Sequence, residues 1–519
     1  MKSLFTDMVS TWQEVATPTF FAVNENMSTD VLVIGAGIAG LSTAYQLLKN
    51  GKSVIVIDRE LHLGLHESGL TSAHLSNAVD GRYSFLRQVH GLETMRLVAE
   101  SHTQAITMIE HICQEEGIDC DFKRVNGYLF LDSEDDLKLF KDEVLAAREV
   151  GLNVELLSRA PLQMFDTGPC ILFPNQGQFH PVKYLQGLAQ AIQRLGGKIF
   201  TESPATDVKY GAPHKVITDQ NYEILCQDLV VCTNSPVNDI ITMHTKMGAY
   251  RSYVIAVEIP RGQLEPMLLW DTGDPYHYVR LIQNKNSEYD LLIVGGEDHR
   301  TGQQVFPEAC YENLKHWVRE RLQIQPRVVA QWSGQILETF DGLAFIGKNP
   351  SLEKNIYIIT GDCGMGLTYG TMGSAIIRDL ILGRSNAWSE VYNPRRLAVR
   401  NLNEYVRENF HSISPYSDWL LPGNIKSTEE IAPGEGAILR RGLKKLACYK
   451  DTFGNMHVFS AKCPHLGGLV RWNSSEKTWD CPCHGSRFHR YGEVINGPAP
   501  HGLQPLAEHG EDSHLAPSP

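Results

Sequence analysis

The amino-acid sequence predicts a large α/β domain, opened by a parallel βαβ unit and interrupted by a mixed sheet, followed by a small all-β domain. Three observations predict it. Gly35-Ala36-Gly37-Ile38-Ala39-Gly40 lies between an apolar run and an amphipathic one, the setting of a strand, a turn and a helix. Apolar runs and helical periodicities then alternate to about residue 395. From about residue 425 only short strand and turn signals remain, with Cys463, His465, Cys481 and His484 crowded among them.

In chain order, residues 1–29 form an N-terminal arm. Asp7, Gln13, Glu14 and Pro18 break its apolar character, so neither a signal peptide nor a transmembrane segment is expected, and the protein is placed in the cytoplasm. The large domain spans 30–411. Its first strand is 31–34, followed by a helix carrying Leu41, Ala44, Tyr45 and Leu48 on one face; Asn50 and Gly51 end the helix, and 54–57 is the next strand. Helical patterns at 101–116, 134–150 and 183–195 and a core strand at 228–233 continue the alternation. Residues 245–300 are rich in strand-like, aromatic segments, which suggests a mixed sheet inserted for substrate contact. A helix at 395–410 closes the domain, and 412–424 carries the Ser, Pro and Gly of a linker. In 425–505, Gly454-Asn455 between 446–449 and 456–459 signals a hairpin. Residues 506–519 form a tail.

Composition limits the function. The 519 residues exceed one ordinary core, and 42% hydrophobic with 21% charged residues is globular usage. A net charge of −13 with no block of Lys or Arg repels a phosphate backbone, so nucleic acid is not an expected partner. Eight of the 11 cysteines are scattered singly, the pattern of reduced cytosolic thiols; only Cys463, Cys481 and Cys483 cluster.

The glycine motif carries specific chemistry. Gly35, Gly37 and Gly40 allow a tight turn, close approach of a pyrophosphate and packing of the helix on its strand, while free N–H groups at the helix start face the phosphates. Asp58, with Arg59 beside it, stands 23 positions after Gly35, where a carboxylate accepts hydrogen bonds from both ribose hydroxyls and so favours FAD or NAD over a 2′-phosphate.

Further along come Gln178-Phe179-His180-Pro181, Trp332-Ser333-Gly334-Gln335, 341–347, and Gly361-Asp362-Cys363-Gly364-Met365-Gly366-Leu367-Thr368 before a helix to Leu382. Together with the first glycine turn, this ordered set resembles the D-amino-acid oxidase and glycine oxidase superfamily over most of 28–395. The resemblance implies a Rossmann-like, glutathione-reductase-type FAD fold. It also implies that Gly364, Gly366, Leu367 and Thr368 bring backbone N–H groups and a helix start to the isoalloxazine ring. Residues 67–74 resemble the family's early flavin loop, which gives Thr71, Ser72 and Ala73 as cofactor contacts. Some relatives bond a histidine of this loop to the flavin. His74 is out of that register, so the FAD is expected to be non-covalent.

Cys463-Pro464-His465-Leu466-Gly467 and Cys481-Pro482-Cys483-His484-Gly485-Ser486 form two boxes whose first cysteines are 18 residues apart. Two Cys and two His also satisfy zinc, but zinc motifs pair like ligands as C-x₂₋₄-C and H-x₃₋₅-H, which C-x-H with C-x₂-H does not follow. The boxes strongly resemble the Rieske [2Fe–2S] signature. The resemblance implies that Cys463 and Cys481 hold one iron and neutral His465 and His484 the other, and that Gly497-Pro498-Ala499-Pro500 shields the cluster, over about 425–503. High-potential respiratory Rieske proteins carry a second cysteine in box one, disulfide-bonded to the counterpart of Cys483; here that position is Gly468. They also carry a tyrosine where this chain has Phe488, while their serine is kept as Ser486. Losing a donor to the cluster predicts a lower potential than theirs.

The whole resembles bacterial fusions of a glycine-oxidase-like FAD oxidoreductase with a Rieske domain. It implies an enzyme that oxidises a small molecule, an amine or amino acid, and passes the electrons from flavin through the cluster to an external electron acceptor. A redox relay without small-molecule turnover is the alternative. A Rieske oxygenase would need a 2-His-1-carboxylate iron site; Asp58, His62 and His66 offer the residue types, but Asp58 belongs to the ribose. His299, Arg280 and Tyr253 are the expected catalytic or substrate-binding side chains, with Arg251, Tyr278 and Arg300 as further candidates to clamp a carboxylate or line the ring.

Overall fold

The computed structural model describes residues 9–396 and 418–506, except 17, 134–136, 237–242, 244, 245, 285, 286, 305, 351–353 and 420. Most of the expected 412–424 linker, nearly all of the helix at 395–410, the first eight residues of the arm and the tail beyond Leu506 lie outside the described residues.

An apolar run with no polar alternation suits a strand covered on both faces. Val31, Leu32 and Val33 are each 0% exposed, at the centre of the first strand, Met27–Ile34. That strand pairs in parallel with Val54–Ile57 on one side and Glu223–Val231 on the other. Lys198–Phe200 and Ile356–Thr360 extend the parallel core outward, Phe345–Lys348 adds an antiparallel edge, and a hairpin of Ala205–Lys209 and His214–Thr218 joins at Glu223–Val231. The expected strand at 228–233 begins earlier and stops at Val231, because the Cys232 carbonyl turns under the glycine loop, where a Cβ on Gly35 would collide with it.

Helix Ile38–Leu48 covers this sheet beside helix Gly366–Ile381. A Cβ on Gly370 would lie 3.1 Å from the Ala39 nitrogen, so glycine sets how closely the two helices approach. Helix Leu92–Glu116 starts before the expected residue 101, because Met95, Val98 and Ala99 continue its buried face. The second sheet runs Arg327–Thr339, Met247–Pro260, Tyr289–Arg300, His277–Ile282, Leu268–Asp271, Lys123–Phe130, Cys170–Gln178 and His74–Leu75, with Glu155–Leu157 on Cys170–Gln178. Its pairs are antiparallel except Leu268–Asp271 with Lys123–Phe130, which makes it the mixed sheet expected around 245–300.

Beyond the described gap, the chain forms two antiparallel sheets, Glu435–Arg441 with Lys444–Lys450 and Met456–Ser460, and Arg471–Asn473 with Thr478–Asp480, Arg487–His489 and Val494–Asn496. The described end of the linker is stapled to this small domain: the Trp419 indole donates to the Gly467 carbonyl at 3.1 Å, and Arg471 pairs with Asp418 at 2.5 Å. No helix among the described residues is long and apolar enough to cross a membrane.

The small domain docks on the second sheet through a buried ionic network. Glu476, on the turn between Arg471–Asn473 and Thr478–Asp480, meets Arg251 of the large domain at 3.1 Å and also bonds Ser333 and Arg487. Arg487 pairs in turn with Asp480 at 3.0 Å. Glu476 and both arginines are almost wholly buried. Burial alone would raise the Glu476 carboxyl, but Arg251 and Arg487 outweigh it and hold the group down to about 2. A depressed carboxylate stabilises the fold above its ordinary range, and this contribution fades as pH falls from 4.5 toward 2. Glu476→Ala leaves two buried guanidiniums short of a partner and should cost about 3–5 kcal/mol, read as a lowered melting temperature; an unchanged melting curve would show that the network does not hold the domains together.

Candidate functional site

The first glycine turn behaves as its composition requires. Gly35 has φ +106°, and a Cβ on Gly40 would collide with the Gly35 carbonyl, so the turn closes only without side chains. Asp58 ends its strand with one oxygen accepting from the Ala36 nitrogen at 2.6 Å and the other from the Glu60 nitrogen at 2.8 Å. The carboxylate is thereby fixed beside the turn. Arg59 points away: its guanidinium donates to the Ile495 carbonyl of the small domain and lies 2.8 Å from His66.

A cavity of about 450 Å³ opens between the two glycine-started helices and the mixed sheet. Gly37, Thr71, Ser72, Gly364, Gly366 and Leu367 line it, so two distant segments and the early loop meet around one space. Thr368 sits just behind, its hydroxyl 2.9 Å from His102 Nδ1, and Ala73 is wholly buried at φ 61°. The early loop is braced by the arm, a contact not visible in the sequence pattern. Trp12 Nε1 donates to the Thr71 carbonyl at 2.7 Å, and Gln13 Nε2 to the Gly64 carbonyl at 3.0 Å.

The cavity fits a flavin nucleotide on its own chemistry. Helix starts and glycine cradles face it, and three of the residues that line it bury a polar atom without a hydrogen-bond partner: Gln335 its Oε1, Asn234 its Nδ2 and Arg82 its Nη1. Buried polar atoms in native proteins are nearly always paired, so the wall is shaped for a polar occupant. His74 lines the cavity with both ring nitrogens engaged, Nδ1 with Ser72 Oγ at 2.9 Å and Nε2 with the Val279 carbonyl at 3.3 Å. Neither is free to bond to a ring.

The expected substrate residues lie elsewhere. Tyr253 is wholly buried, its hydroxyl 3.0 Å from His299 Nε2, and the pair packs against the Arg251 network rather than the cavity. Arg280 is turned to carbonyls through Nη1: it donates to Ala73 at 2.6 Å and Phe179 at 3.1 Å and lies over the Trp12 ring, so it supports the early loop from behind. Arg251 reaches Glu476 through Nη2. Of these candidates Tyr278 alone lines the cavity, with Trp270 and Tyr276 beside it. The reason is register: Tyr250, Arg251 and Tyr253 sit across a bulge from Gly296, His299 and Arg300, and alternation along a strand cannot be read through a bulge.

In the small domain the two boxes fold into equivalent turns. The Cys463 nitrogen donates to the Gly468 carbonyl at 2.8 Å and the Gly467 nitrogen to the Cys463 carbonyl at 3.0 Å; Cys481, Ser486 and Gly485 repeat both bonds at 2.8 and 3.0 Å. Gly467 and Gly485 take matching left-handed conformations, φ +78° and +77°. The two turns bring the Cys463 and Cys481 thiols within hydrogen-bonding reach of each other and the His465 and His484 rings to 4.9 Å between centroids. No three His, Cys, Asp or Glu side chains among the described residues converge as for one metal ion. Two thiols in one pair and two imidazoles in another are the donor set of a mixed-ligand [2Fe–2S] cluster. A Cβ on Gly468 would stand 2.6 Å from Cys483 Sγ, so this position faces Cys483 as expected, and all eleven cysteines are free. Ser486 Oγ accepts from the Ala499 nitrogen at 3.0 Å, which ties the proline loop to box two.

The cluster turn abuts the cavity wall. Gln335 Nε2 donates to the Gly485 carbonyl at 2.7 Å, and a Cβ on Gly485 would collide with Ala249. Glu67 of the flavin loop accepts from the Gln335 nitrogen at 2.7 Å with one oxygen and from Asn496, next to the proline loop, at 2.9 Å with the other.

The chain matches the FAD dependent oxidoreductase family over residues 30–380 and the Rieske [2Fe-2S] domain over 423–507. It is 30% identical to the Bacillus subtilis protein YhfW, assigned by name to the Rieske 2Fe-2S iron-sulfur proteins, over 95% of both chains. It is 22% identical to gamma-glutamylputrescine oxidoreductase of Escherichia coli, over 72% of this chain and 88% of that one. Glycine oxidase from Geobacillus kaustophilus has the same fold, with a TM-score of 0.61 at 16% identity over 71% of this chain and 99% of that one.

Two measurements check the cofactor assignments. Acid precipitation should release the yellow colour into the supernatant; colour retained on the pellet would mean a covalent link. A redox titration should place the cluster well below the top of the roughly −150 to +300 mV Rieske range, since Gly468 and Phe488 remove supports that stabilise added charge. A midpoint near the top would sink that account.

Proposed function

Since the chain belongs to the FAD dependent oxidoreductase family and carries a Rieske domain behind it, we propose that it is a dehydrogenase that oxidises an amine or amino acid and delivers the electrons, through the cluster, to an external acceptor. A bound flavin accepts a hydride, two electrons at once, and a [2Fe–2S] centre carries one electron at a time. The observation that carries the reading is the seat of the cluster turn: Gly485, next to the ligand position His484, is held by a residue of the cavity wall. A one-electron outlet built against the flavin site favours a dehydrogenase over an oxygen-consuming oxidase.

The wall supports an amine. Glu67, Asp80, Glu143, Asp271, Glu338 and Asp362 line the cavity, against Arg82 as its one arginine among the described residues. Glu67 and Glu143 are occupied by backbone N–H groups, and Asp271 by His277. Asp362 accepts from the Leu337 nitrogen at 2.8 Å on one oxygen and Asp80 from the Tyr276 hydroxyl at 3.4 Å, so these two and Glu338 are the less heavily bonded carboxyls. Desolvation pushes Asp80 up to about 6 and Asp362 to about 7, and it raises Glu338 as well. A substrate ammonium beside them favours their charged forms, and Trp270, Tyr276 and Tyr278 offer aromatic faces to a cation. The E. coli relative is named for an amine as well. Arg82, a lining residue with Nη1 unpartnered, supports a carboxylate contact when the substrate is an amino acid.

An anaerobic screen of amines and amino acids for flavin bleaching tests the proposal. If none bleaches the flavin but a reduced carrier protein does, the chain is a relay and not a dehydrogenase. For a cationic substrate kcat/KM should rise as pH climbs through about 6 to about 7, where Asp80 and Asp362 ionise; a fall over that window contradicts ammonium binding. Arg82→Met should raise KM for amino acids about 10- to 100-fold, the worth of one charged hydrogen bond, and leave simple amines unchanged.

A further inference from the structure

Gln335 is 2% exposed and lies in strand Arg327–Thr339, on the wall of the cavity. The Gly485 carbonyl can only accept, so the amide nitrogen must be the atom that meets it at 2.7 Å. That leaves Oε1 buried and without a partner, on a residue that lines the cavity. An unmet buried acceptor costs about 1–3 kcal/mol, a cost that a donor in the cavity removes.

The residue is held from all sides. Its backbone nitrogen is bonded to Glu67, which also grips Asn496 beside the proline loop. Two residues earlier on the same strand face, Ser333 bonds Glu476. Gly485 has both the left-handed φ of +77° and no room for a side chain, so its carbonyl cannot turn from Gln335 without the turn being rebuilt. Only a carboxamide gives and accepts a hydrogen bond from one rigid planar group at this length.

Resting on the proposed flavin-to-cluster reading, we propose that Gln335 is the positioning residue that bridges the two redox sites, its Oε1 accepting from an N–H of the flavin ring and its Nε2 fixing the Gly485 carbonyl next to the ligand His484. For each hydride taken from substrate, two electrons cross this contact singly. Each reduces one cluster iron from ferric to ferrous and is passed on to an external one-electron carrier protein, while the ring protons go to solvent.

The test uses the full-length protein loaded with both cofactors. The flavin is photoreduced anaerobically with EDTA as electron donor, and the cluster is followed by its reduced-state EPR signal. Wild type and Glu308→Ala, which removes a peripheral bond to Ser474 between the domains, should transfer at the same rate. Gln335→Leu should slow transfer about tenfold or more, with flavin photoreduction and both midpoint potentials unchanged. Gln335→Met, similar in length but without the amide, should be equally slow, and Gln335→Glu, which keeps an acceptor toward the cavity and loses the donor to Gly485, should also be slow. If Gln335→Leu loses flavin or melts early, Gln335→Met decides: wild-type transfer in either folded variant overturns the proposal, and so does equal slowing by Glu308→Ala. Absence of flavin-to-cluster transfer in the wild type would instead overturn the dehydrogenase reading itself.

Discussion

The arrangement depends on one carboxylate. Glu476 of the small domain sits between Arg251 of the large domain and Arg487 of its own, all three withdrawn from water. A buried charge is tolerable only when its partners are in place, so docking is all-or-none on the scale of this network. Arg251 meets the carboxylate through one nitrogen, while its Nε and Nη1 have no partner, so the guanidinium is far from fully satisfied. Such a network selects one orientation better than it adds stability, and orientation is what two redox sites in one chain require.

Around that anchor, close backbone approach does the rest. Gly302 of the large domain leaves room for the Asp480 carbonyl, where a Cβ would stand 3.0 Å away, and Gly485 lies against Ala249. Arg471 reaches the Gly302 carbonyl at 3.1 Å, and Ser474 bonds Glu308 at 2.5 Å. The small domain therefore rests on Met247–Pro260 and Arg327–Thr339, the same strands whose cavity-facing residues border the flavin site. Sheet and interface share their backbone, so the distance between the sites is set by strand geometry rather than by flexible side chains.

The sequence motifs and the substrate candidates fared differently for a physical reason. Gly35, Gly37, Gly40, Gly364 and Gly366 answer local demands for turns and helix starts, and such demands leave the same composition wherever they occur. The Cys and His boxes are equally local, since each turn holds its own cysteine and histidine. Arg251, Tyr253 and His299 depended on which face of a bulged strand each side chain takes and were drawn into the interface, while Arg280, on a regular strand, turned beneath the early loop. Asp80 and Arg82 gave no signal of their own in the chain, and Asp362 and Gln335 stood inside the family-like segments with no role legible for either.

By itself the sequence determined the two domain families, the two glycine-rich turns and the two Cys-His boxes, because each motif is written within a few consecutive residues. Tertiary structure alone decided that the arm braces the flavin loop, that the cavity wall is acidic, that Glu476 joins the domains and that Gln335 stands between them. Those contacts join residues as far apart as Trp12 and Thr71, or Gln335 and Gly485. Such pairs are fixed by the register of strands and the fit of one domain on another, and no local pattern encodes either.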